Sequence, residues 1–154
     1  MNLNLAGYEL LFQEVILGLC IIFVVAIYNI FGFTMITLAY RKKLTTITFS
    51  SKYVELTRFT AYTMLLVVGI FSSLIVWVIA LTLLGMVADT ASALLLTASF
   101  FTSVGNFTLD LPFGWRLMPS LIAFSGLFSF AWATASSINM ANQLGNYLEK
   151  HKDL

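Results

Sequence analysis

The sequence predicts an all-α integral membrane protein: three transmembrane helices, with a short re-entrant helix and loop before the last. Three observations predict it. First, 60% of the 154 residues are hydrophobic and 10% are charged, against roughly 25% charged in ordinary soluble domains. Second, the stretches 15–40, 59–88 and 117–148 contain no Asp, Glu, Lys, Arg or His. At about 1.5 Å of rise per residue, each exceeds the roughly 20 residues needed to cross a hydrocarbon core of about 30 Å. Third, the basic residues are placed unevenly between these stretches.

The first span is expected at about 15–40. The start, Met1-Asn2-Leu3-Asn4-Leu5, is neutral and lacks the basic region of a signal peptide, so this span is expected to stay in the mature chain. Cys20 is the lone cysteine and lies inside the span, where it reads as a small apolar residue against lipid or a neighbour. The second and third spans are expected at about 59–88 and 117–144, and the whole chain 1–154 as one membrane domain.

Orientation follows from the charges. Arg41, Lys42, Lys43, Lys52 and Arg58 fall between the first two spans, and Lys150 and Lys152 follow the third; only Arg116 lies elsewhere. Basic residues near span ends are retained on the cytoplasmic side, so the first loop and the C-terminus belong inside. The N-terminus, carrying Glu9 and Glu14, belongs outside.

That frame decides the reading of 90–109, which is also uncharged and just long enough to be a fourth span. A fourth span would send Lys150, His151 and Lys152 outside and break the pattern. Thr90, Ser92, Thr97, Ser99, Thr102, Ser103, Gly105, Asn106 and Thr108 also make the segment polar and irregular toward its end. Irregular backbone at membrane depth survives only when buried in protein or lining a wet cavity. The segment therefore reads as a short helix entering from outside at about 90–101, followed by a returning loop at 102–108. Asp89 and Thr90 are suited to cap this helix, with the acid at its positive end.

The run Thr102-Ser103-Val104-Gly105-Asn106-Phe107-Thr108 resembles the potassium-channel filter signature: two hydroxyl residues, Val, Gly, an aromatic, Gly and Asp. Thr102, Ser103, Val104 and Gly105 fit, with Ser103 in the place of the filter threonine. The likeness continues through Trp115-Arg116-Leu117 and along 123–134, so that the chain is similar, over roughly 91–144, to small bacterial ion-channel proteins with one pore loop per chain, grouped with two-pore-domain-like potassium channels. The resemblance implies a pore helix at 90–101, an ion filter of Thr102, Ser103, Val104, Gly105, Asn106 and Phe107, a homotetramer in a bacterial inner membrane, and a monovalent cation such as potassium or sodium as the permeant ion. It implies no other cofactor.

The departures are specific. Asn106 replaces the filter aromatic, Phe107 the second filter glycine, and Thr108 the acid after it. In such a filter backbone carbonyls replace the hydration shell of the ion. Pointing successive carbonyls one way demands positive φ, which costs a non-glycine residue about 1–3 kcal/mol. Phe107 therefore implies an altered outer filter.

In the last span Ser125, Ser129, Ala133, Ser137, Ala141 and Gly145 recur every fourth residue, a groove suited to close helix packing or to lining a pore. Gly126 stands where the resembled channels often carry a hinge glycine. Pro119 marks the start of this helix, and Pro112 and Gly114 mark the preceding turn, which Asp110 and Arg116 could bridge. Asn139, Asn142 and Gln143 mark where the helix leaves the membrane or rims a vestibule. Trp77, Tyr53 and Tyr62 read as lipid or interface anchors, and Asn106-Phe107-Thr108 also fits a glycosylation sequon.

Enzyme chemistry has little to stand on. His151 is the only histidine, and no Cys, His, Asp or Glu cluster has metal-ligand spacing. A net charge of +1 does not suggest nucleic acid. Two functional readings stand: a tetrameric cation-channel subunit with a degenerate filter in a lipid bilayer, or a non-conducting accessory subunit among other membrane subunits.

Overall fold

The computed structural model of the chain describes residues 2–46, 51–87, 89–105 and 115–150. They form four α-helices: α1 (Asn2–Thr46), α2 (Lys52–Leu83), α3 (Thr90–Phe101) and α4 (Met118–Lys150). Of these, α1, α2 and α4 are long and apolar enough to cross a membrane, each containing an 18-residue stretch whose mean hydropathy is 2.7, 2.7 and 1.5 respectively.

The helices extend beyond the uncharged stretches at most ends. α1 already runs from Asn2, and α2 begins at Lys52, because a charged side chain near a span end reaches toward water without interrupting the backbone ladder. α2 stops earlier than the expected residue 88. Gly85 takes a left-handed conformation (φ 64°), which lets its N–H reach the Thr82 carbonyl (3.1 Å) and the Met86 N–H reach the Leu81 carbonyl (3.1 Å). This pair of bonds is the Schellman closure, which uses up the last carbonyls of the helix.

Contacts along the helices give their directions. From its beginning onward α1 meets α4 at Glu14 with Leu117, then Gly18 with Leu121, then Asn29 with Ser129, so the two run parallel. α2 runs against both: Ser73 meets Asn29, Gly69 meets Phe33, and Phe59 and Tyr62 meet Tyr40. The short helix α3 packs on α2 and α4.

Large apolar side chains cover the outside of α1 and α2, among them Phe23, Phe31, Val68, Phe71 and Ile75. Lipid is as apolar as these side chains, so helix association relies on close packing and interhelical hydrogen bonds. Both are present. Asn29 donates to Ser129 Oγ (2.7 Å) and accepts from Ser73 Oγ (2.5 Å), while Trp77 Nε1 donates to Ser125 Oγ (3.0 Å). These bonds join α1, α2 and α4 in the buried interior.

Candidate functional site

The segment between α2 and α4 starts with a built cap. Asp89 is extended (φ −139°, ψ 152°), and its carboxylate accepts the Ser92 backbone N–H at 2.8 Å. That N–H, with the Ser92 side chain, holds the Asp89 carboxyl below the usual carboxylate range. The following helix, α3, has 12 residues. At 1.5 Å per residue it is about 18 Å long and cannot cross a hydrocarbon core of about 30 Å. It buries Ala93, Leu96, Thr97 and Phe101 against its neighbours.

α3 ends through the same closure as α2. Ser103 N–H reaches the Phe100 carbonyl (2.9 Å), and the N–H groups of Val104 and Gly105 reach the Ser99 carbonyl (2.9 and 3.1 Å). The left-handed position, held by Gly85 in α2, is held here by Ser103 (φ 60°), and Gly105 is left-handed again (φ 69°). A non-glycine residue pays about 1–2 kcal/mol for that conformation. The two closures differ in cover as well: Met86, after Gly85, is 6% exposed, whereas Val104, after Ser103, is 71% exposed.

The seat of α3 is Gly126. The Phe101 backbone carbonyl fills the space that a Cβ at Gly126 would need, and the Phe101 ring lies 6.2 Å from that of Phe130. Gly126 lies about two turns into α4, about 12 Å along its axis. Next to it Ser125 receives the Trp77 indole. The role of Gly126 here is a close backbone approach, and α4 remains one continuous helix from Met118 to Lys150 through it.

Of the sequence-predicted filter residues, Thr102, Ser103, Val104 and Gly105 stand together at the end of α3, all exposed on this chain. Asn106 and Phe107 lie outside the described residues, as do Thr108, Asp110, Pro112, Gly114, His151 and Lys152. The small-residue row of α4 divides in two. Ser125, Ser129 and Ala133 are buried in packing within the chain, Ser137 is half-buried beside α2, and Ala141 and Gly145 are exposed. Trp77, read from sequence as an anchor, is fully buried, while Tyr53 is 79% exposed.

Sequence reasoning missed Glu14. It is 1% exposed, and its Oε1 accepts the backbone N–H groups of Leu117 (2.6 Å) and Met118 (2.8 Å), capping the first turn of α4. Nothing local to Glu14 signals a partner so far along the chain. Asn29, also missed, did carry a signal, since it is the one amide in the 15–40 stretch and intramembrane polar groups seek partners. Among the described residues no three His, Cys, Asp or Glu side chains converge as a metal site would require.

These features define an all-helical protein of membrane type, with a short capped helix lodged between two long ones. No family model matches the chain, and no curated protein or solved structure matches it either.

Proposed function

We propose that the chain is a subunit of a cation-conducting membrane assembly in which four copies each contribute the segment 102–108 to a shared ion path. The observation that carries this reading is the seat of the Phe101 carbonyl on Gly126. It supports α3 as a re-entrant pore helix: its capped end starts beside the end of α2, and its carbonyl end stops about 12 Å below the start of α4. A helix C-terminus carries partial negative charge, which favours a cation, and converging copies add to the effect. The left-handed φ values at Ser103 and Gly105 fit backbone that turns successive carbonyls to one side, and the exposure of Val104 fits a segment covered by neighbouring copies.

Arg41, Lys43, Lys52, Arg58 and Lys150 gather at the end of the bundle where α1 and α4 finish and α2 begins. The positive-inside rule supports a cytoplasmic placement of that end and an outside N-terminus, and the resemblance to small bacterial ion-channel proteins supports a bacterial inner membrane.

The test is flux through liposomes containing the purified full chain. Potassium or sodium uptake is expected, with loss of uptake in Gly105→Ala, because alanine is strained at φ 69°. Absence of both fluxes from a folded tetramer overturns conduction. The second reading, a non-conducting subunit of a larger membrane complex, rests on Phe107, which stands where the resembled filter has glycine. One or two copies purifying beside unrelated subunits would favour it.

A further inference from the structure

A second built feature lies at the other end of α2. Tyr53, Val54, Thr57, Arg58 and Ala61 line a surface groove of about 460 Å³. Their spacing of three or four residues puts them on one face of the helix. Inside the groove Arg58 is not a loose surface cation. Its Nη1 donates to both oxygens of Glu55 (2.6 and 2.8 Å), and Glu55 is itself 1% exposed. The pair uses only Nη1, so the guanidinium is fixed in place while Nε and Nη2 donate to no described residue. A planar fork of this kind matches the oxygens of a phosphate.

The surroundings select the phosphate's carrier. Arg41, Lys43, Lys52 and Lys150 are exposed at the same end of the bundle, against Glu149 and the already paired Glu55, so the local field is positive. Further along the same face of α2 the surface is apolar, with Met64 58%, Leu65 49% and Val68 61% exposed. A free anion has no use for such a track, whereas an acyl chain does. Juxtamembrane basic residues also attract anionic lipid.

We propose that this groove binds the headgroup phosphate of an anionic phospholipid, with Arg58 as its donor, the Tyr53 phenol and Thr57 at its rim, and an acyl chain along Met64, Leu65 and Val68. The proposal needs the bundle to sit in a bilayer but is independent of ion conduction, and its test reads binding and not flux.

The test titrates delipidated full-length protein in detergent with phosphatidylglycerol, phosphatidylcholine or inorganic phosphate, counting adducts by native mass spectrometry. Phosphatidylglycerol is expected to bind at least about fivefold more tightly than phosphatidylcholine, and inorganic phosphate is expected not to displace it. Glu55→Gln combined with Arg58→Gln, which leaves neither charge buried alone, is expected to abolish the preference, whereas Arg116→Gln at the opposite end keeps it. Should the double variant fail to fold, Thr57→Phe, which fills the groove from an exposed position, is expected to give the same loss. Equal binding of the two lipids, a preference retained by either folded groove variant, or displacement by inorganic phosphate would overturn the proposal.

Discussion

The backbone carbonyl of Phe101 sits where a side chain on Gly126 would begin, so α3 and α4 meet backbone to backbone. Gly126→Ala must push α3 away, since a peptide group cannot rotate aside as a flexible side chain can. Overpacking of this kind costs about 1–3 kcal/mol. Thermal unfolding in detergent should show that loss, and if α3 is the proposed pore helix, cation flux into liposomes should fall with it. Gly145→Ala in the same helix, with nothing within 4 Å of its Cβ, is expected to be neutral or slightly stabilising.

Glu14 holds the other end of that arrangement. Its Oε1 serves two N–H groups at the start of α4, where an intrahelical partner is missing by geometry. Glu14→Ala leaves both donors unpaired, at about 1–3 kcal/mol for each that stays buried. Glu14→Gln retains a carbonyl acceptor and is expected to lose less. Amide hydrogen exchange at Leu117 and Met118 separates the two variants: fast exchange is expected in the alanine form and intermediate exchange in the glutamine form. Equal exchange in all three proteins would show that the cap is idle.

Ser103 occupies a left-handed position that its counterpart in α2 fills with Gly85. Ser103→Gly therefore removes strain of about 1–2 kcal/mol and should raise thermal stability. If Ser103 belongs to the ion path, the same change should lower or alter cation flux while stability rises. Ser103→Val, with a branched Cβ, should lose stability. A stabilised glycine variant with unchanged flux would separate Ser103 from the proposed path.

How much of this was legible in the sequence depends on range. The order of spans, the cap at Asp89 and the start of α4 at Met118, beside Pro119, are set by hydropathy and by chemistry within a few residues. So is the gathering of basic residues at one end. The interior is different. Asn29 and Ser129 are 100 residues apart and Glu14 and Leu117 are 103. Such pairs depend on which side of each helix turns inward, and in a membrane chain both sides are apolar, so periodicity barely marks the inner face. Trp77 shows the consequence: its sequence suits an interface anchor, and only the position of Ser125 shows why it is buried. Gly126 likewise reads as a hinge until Phe101 is placed against it. At the candidate site the left-handed turn at Gly105 was legible from residue type, whereas the strain at Ser103 was not, because serine carries no signature of positive φ.

Asn29 gives a graded test of the interior. It bonds Ser129 on α4 and Ser73 on α2. Interhelical hydrogen bonds between transmembrane helices average about 0.6 kcal/mol and reach about 1.7. Asn29→Leu should therefore destabilise by about 1–3 kcal/mol. A double-mutant cycle of Asn29→Ala with Ser129→Ala should yield a coupling of about 0.5–1.5 kcal/mol, and a null coupling would show that the bond does not contribute.

Acidification tests the cap of α3. The Asp89 carboxyl is held low by the Ser92 N–H, so the folded form carries the lower pKa. Its contribution is then fully present above the ordinary carboxylate value of about 4 and is lost as pH falls through the lowered folded value. Hydrogen exchange at the Ser92 amide should accelerate on acidification beyond the intrinsic pH dependence of exchange. Asp89→Asn, a good cap without a titrating group, should remove that excess while keeping protection at neutral pH. If the wild-type chain and Asp89→Asn show the same pH profile, the carboxylate is not the group that holds the start of α3.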